Sequence, residues 1–194
     1  FAMLLSMFTV FFATGVAAAT VITNTSPAIA ANVGQTITLS NYSVTFDGDS
    51  SATSGVTWKN GSTTITSFTP NAKGVTKLTA TKGSKSKTIY VVAKNANESE
   101  YVLYEASMSS FASTSALTSA GWTIPATSSM DSGDLIVSSD SVFLPAWLGE
   151  FGDYAFSADV RIKSAKDSTR WFSLIYRADQ LANANDYLHM CVRS

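Results

Sequence analysis

Three consecutive runs near the C-terminal end constrain the fold of this chain more than any other feature: Tyr154–Lys163 (YAFSADVRIK), Arg170–Arg177 (RWFSLIYR) and Asp186–Arg193 (DYLHMCVR). Apolar side chains recur at every second position, the period of a strand buried on one face. Phe156, Ala158, Val160 and Ile162 share a face of the first run, Phe172, Leu174 and Tyr176 of the second, and Leu188, Met190 and Val192 of the third. The connectors SAKDST and ADQLANAN are short and polar, so an antiparallel meander is the expected topology. The opposite faces carry Ser157, Asp159 and Arg161, then Trp171, Ser173, Ile175 and Arg177, then Tyr187, His189, Cys191 and Arg193. Aromatic rings mixed with guanidinium forks suit a surface that holds a polar molecule with apolar patches, such as a sugar.

The remaining sequence agrees with an all-β chain. Turn signals at Asn32-Val33-Gly34, Asp47-Gly48-Asp49, Asn60-Gly61, Asn71 to Gly74 and Lys82-Gly83-Ser84 separate short alternating runs, the spacing of a sandwich. Strands are expected at Gln35–Leu39, Ser43–Phe46, Gly55–Lys59, Thr63–Thr66, Gly74–Thr81 and Lys85–Val92. Trp58 is the large ring that such a sandwich buries, and Leu78, Ala80, Ile89 and Val91 are the expected inner face of a hairpin. Asn95–Ser99 (NANES) reads as a polar linker. Beyond it, strands are expected at Tyr101–Glu105, Asp134–Ser138 and Ser141–Leu144, with a turn of helix over Ala116–Gly121.

The N-terminal residues have a different character. Phe1–Ala19 holds an apolar stretch, Met3–Phe12, followed by small residues ending in Ala17-Ala18-Ala19, the pattern of an export leader and its cleavage site. The first charged residue is Asp47, so the positive start of such a leader is missing and a truncated signal peptide over 1–19 is expected. The stretch is shorter than the roughly 20 residues a membrane span needs. A secreted or cell-surface protein is expected, with no membrane span in its mature chain.

Net charge is −1, with 14% charged residues, which leaves no basic field for nucleic acid. The single cysteine, Cys191, excludes an internal disulfide and, with no base near it in sequence, gives no sign of a nucleophile. Glycoside hydrolysis needs two carboxylates flanking one bond, and no alternating acidic cluster supplies them. Nor does any His/Cys spacing supply a transition-metal site. Asp131, Asp134 and Asp140 are the loop carboxylates that calcium would take if it bound. The expected ligand-binding set is Arg161, Trp171, Arg177, Tyr187, His189 and Arg193, with no catalytic residues and no required cofactor.

Two resemblances add to this reading. GVTWKNGSTTITSFTPNAKGVTKLTATKGSKSKTIYVVAK, through its tryptophan strand, its turn over Thr69 to Gly74 and its final hairpin, resembles a bacterial immunoglobulin-like domain and implies such a sandwich over 20–94. Residues 100–194, through Gly121-Trp122, FSADVRI, RWFSLIYR and DYLHMCVR, are similar to the concanavalin A-like, laminin-G-like jelly rolls. The resemblance implies an incomplete sandwich of that kind, whose remaining strands lie downstream. It also implies a glycan or cell-envelope polymer as partner. The same order of modules resembles secreted glycerophosphodiester phosphodiesterases and some glycoside hydrolases, which implies, as an alternative, the accessory front of a larger hydrolase.

Overall fold

The structure, a computed structural model, describes residues 2–12, 21–23, 27–48, 51–138, 141–152, 154–164, 171–176 and 188–193. Among the described residues it is all-β apart from a short helix and three 3-10 turns. The strands of the first half are β1 (Ala2–Phe12), β2 (Val21–Ile22), β3 (Ala28–Asn32), β4 (Ile37–Thr38), β5 (Ser43–Val44), β6 (Thr57–Asn60), β7 (Thr63–Ile65), β8 (Ser67–Phe68), β9 (Gly74–Lys82) and β10 (Lys85–Lys94). Then come β11 (Tyr101–Ser107), α1 (Thr114–Ser119), β12 (Ser129–Asp131), β13 (Asp134–Ser138), β14 (Tyr154–Ser164), β15 (Trp171–Tyr176) and β16 (Leu188–Arg193). The chain divides into two compact units, one of Thr9–Glu105 with Glu150–Phe156, the other of Phe1–Phe8, Ala106–Gly149 and Ser157–Ser194.

In the first of these units β9 and β10 form the central hairpin of a five-stranded sheet ordered β3-β10-β9-β6-β7. Lys82 pairs with Lys85, leaving Gly83-Ser84 as a two-residue loop. Gly83 has a φ of 58°, the sign that a type II′ turn requires of its first central residue. Alternation then sends Leu78, Ala80, Ile89 and Val91 to one side, where they join Trp58, Ile29, Ala31, Ile22, Val44, Phe46, Ile37 and Leu39 in one buried cluster. The cluster draws on the small β2–β5 and β4–β8 sheets as well, an arrangement compatible with a β-sandwich.

The sequence expectations need adjustment here. Strand β3, parallel to β10 from Tyr90↔Ala28 to Lys94↔Asn32, was not expected, because Ala28–Asn32 follows Pro27 and has little β-propensity. Pairing overrides it: Tyr90 N–H donates to Pro27 C=O at 2.8 Å. The expected strand Gln35–Leu39 shrinks to Ile37–Thr38 and continues as a 3-10 turn, Leu39–Asn41. Strand β10 is also buried on its second face, where Tyr90 is 1% and Val92 0% exposed. Phe151 covers it, its ring centroid 5.3 Å from that of Tyr90. Glu150–Phe156 thus belongs to this unit, although its place in sequence suggested the later one.

The other unit is built round the β12–β13 hairpin, whose Asp131↔Asp134 pair closes on Ser132-Gly133. Both loop residues have positive φ, 53° and 84°, as a type I′ turn demands. Residues Ala2–Leu5 of β1 pair antiparallel with Leu135–Ser138 of β13, so the expected leader core, Met3–Phe12, lies within strand β1. Leu135, Val137, Met108, Leu117 and Trp122 are buried. Helix α1 starts where Ser113 Oγ accepts from Ala116 N–H at 3.2 Å, a side-chain cap. The expected strand Ser141–Leu144 reduces to a single bridge, Thr123↔Phe143. Among the described residues no helix is long and apolar enough to cross a membrane.

Candidate ligand-recognition face

Strand β14 keeps its sequence alternation: over the stretch that this unit contains, Ala158, Val160 and Ile162 are half-buried while Ser157, Asp159, Arg161 and Lys163 are exposed. The expected meander is only half formed. Strand β14 joins the sheet of β1, whereas β15 and β16 form a two-stranded sheet of their own.

The register of that sheet sets the candidate site. Trp171 lies opposite Arg193, Ser173 opposite Cys191, and Ile175 opposite His189. Directly opposed residues of an antiparallel pair share a face, roughly 5 Å apart at Cβ. These three rungs therefore form one face with an aromatic, a guanidinium and an imidazole position on it. Trp171 is 49% and Ile175 47% exposed, and Cys191 is exposed too. Sequence alternation had pointed to this face; the two rungs Ser173–Cys191 and Ile175–His189, which connect its ends, required the register. The opposite face holds half-buried Phe172 and Leu174, with Met190 at 54% exposure.

Arg161 lies on β14, outside the β15–β16 pairing. Its Nη2 donates to Asp134 Oδ2 at 3.1 Å, and two residues on, Lys163 Nζ donates to Asp131 Oδ2 at 2.6 Å. Arg161, expected in the ligand-binding set, is thus ion-paired with the end of the β12–β13 turn, its side chain staying exposed. Asp131 is held below the ordinary carboxylate range, first by the bond from Lys163 and then by that from Ser132 Oγ. Asp131 and Asp134 are also the two described carboxylates considered for calcium. No group of three or more His, Cys, Asp and Glu suited to a metal occurs among the described residues. Arg177, Tyr187 and Asp140 lie outside the described residues.

Chemically, the β15–β16 face offers a platform and hydrogen-bonding groups. Neither strand carries a carboxylate, so the strands themselves lack the acid and base that glycoside cleavage takes. A half-exposed indole can stack on the apolar face of a pyranose, and arginine and histidine, the residue types at register positions 193 and 189, can donate to hydroxyls or to an acid group. Comparison with family models, with curated proteins and with solved structures finds no match for this chain.

Proposed function

We propose that this chain is a non-catalytic recognition region of a secreted or cell-surface bacterial protein, and that it binds carbohydrate or a cell-envelope polymer through the Trp171 face of β15–β16. In this reading residues 20–94 are an immunoglobulin-like spacer and residues 100–194 the front part of a lectin-like jelly roll. The single observation that carries it is the exposure of Trp171 on a rung shared with Arg193. A large ring left half in water beside a guanidinium position is a binding element more than a packing element. The apolar N-terminal stretch with its Ala17-Ala18-Ala19 ending supports export.

The test is equilibrium binding of the chain to a panel of neutral and acidic glycans, followed by Trp171→Ala on whatever binds. Loss of a stacked ring is expected to weaken binding about tenfold, the equivalent of ~1.4 kcal/mol. Binding that survives the substitution unchanged would move the site elsewhere. No binding to any member of the panel would remove the carbohydrate reading.

A further inference from the structure

The composition of Asn95–Ser99 is that of a flexible tether, yet its geometry is the opposite. Glu98 is hydrogen-bonded through both carboxylate oxygens and through its own backbone. Its Oε1 accepts from Lys73 Nζ at 3.1 Å and from Asn95 Nδ2 at 3.2 Å, and its Oε2 accepts from the Asn95 N–H at 2.9 Å. Its own N–H donates to Asn95 C=O at 3.0 Å, and its C=O accepts from Lys94 Nζ. The ends of this turn are fixed as well. Lys94 C=O accepts from Val33 N–H at 2.9 Å, anchoring the start to the β3 edge. The Lys94 ammonium also sits 5.3 Å from the centroid of the Tyr101 ring, which opens β11, a cation–π distance. Lys73 comes from a turn 25 positions earlier, so the bond to Glu98 ties the segment back to the body of its own unit.

We infer that Asn95–Ser99 is a rigid elbow keyed by Glu98, which carries the start of β11 as part of the same body as β3, β9 and β10. A turn satisfied only within itself would hold its shape and still swing as a whole. The bonds to Lys73 and Val33, together with the Lys94–Tyr101 contact, remove that freedom. The segment that composition marks as a tether is then not a hinge.

Backbone ¹⁵N relaxation and amide exchange on the intact chain test this. Order parameters of residues 95–99 should equal those of β10, near the rigid-backbone value of about 0.85. Glu98→Ala should drop them below about 0.6, the flexible range, and speed exchange of the Asn95 amide at least about tenfold. Glu98→Gln, which keeps one acceptor oxygen, should retain most of the order, and Lys73→Met should give an intermediate loss. Values already below about 0.6 in the unaltered chain, or a Glu98→Ala variant as rigid as its parent, would overturn the inference.

Discussion

Arg161 and Asp134 face each other at 3.1 Å, joining β14 to the base of the β12–β13 turn. The pair is exposed on the arginine side, where the side chain retains 72% of its accessible surface, so water screens it and its contribution to stability is small. Arg161→Ala is expected to lower the unfolding free energy by less than ~1 kcal/mol and to leave glycan binding unaltered. Urea unfolding and the binding panel together check both halves. A loss of binding without a loss of stability would return Arg161 to the ligand face.

The acid side of the stability profile should report Asp131 and Glu98. Glu98 is held below the ordinary carboxylate range first by the Asn95 N–H bond and then by Lys73; Asp131 is lowered chiefly by Lys163. A carboxyl whose folded pKa is depressed adds stability that is present above its unfolded pKa and lost as pH falls through the folded one. Both contributions should therefore be complete above about pH 5 and fade below about pH 4. Denaturant midpoints measured across that window should fall, and the combined Lys73→Met and Lys163→Met variant should show a flatter fall.

Tyr90 gives the alkaline counterpart. Its ring is buried, and its hydroxyl donates to Glu150 Oε1 at 2.9 Å. Burial raises its pKa most, and the bond to Glu150 and the carboxylate charge raise it further. A group raised in this way adds stability that is complete below its unfolded pKa, about 10, and is lost as pH rises through the folded value. Spectrophotometric titration of the seven tyrosines should show a late-titrating hydroxyl that disappears in Tyr90→Phe. That substitution should cost about 1.5–3 kcal/mol, the range for a bond to a charged acceptor.

How much of this was legible in sequence follows from what each element depends on. Period-2 alternation over Gly74–Lys82 and Lys85–Lys94 is local, and it correctly sorted Leu78, Ala80, Ile89 and Val91 to the core. The face of β15 and β16 was legible for the same reason. What alternation does not encode is which strands become neighbours. That is why β3 was missed, why β14 stands apart from β15, and why the Arg161–Asp134 ion pair was not foreseen. The Glu98 turn was opaque because its rigidity comes from Lys73 and Val33, distant in sequence, and not from its own residues.

Gly133 is the position where the backbone leaves least choice. Its φ is 84°, and a Cβ there would come 3.1 Å from Ser109 Cβ, so a side chain meets both an unfavourable conformation and a neighbour. Gly133→Ala should cost about 1–3 kcal/mol, measured by thermal or urea unfolding. Neutrality would mean that the β12–β13 turn rearranges freely.

Cys191 gives the most direct test of the recognition face, because it is exposed and shares the rung between Trp171–Arg193 and Ile175–His189 with Ser173. Coupling a bulky maleimide to it should place an obstacle on that face, with circular dichroism checking that the fold is retained. The labelled and unlabelled proteins would then be compared on the same glycan panel. The unlabelled protein should bind at least one glycan, and labelling should abolish this binding. A labelled, folded protein that binds as well as the unlabelled one would contradict the proposed recognition face.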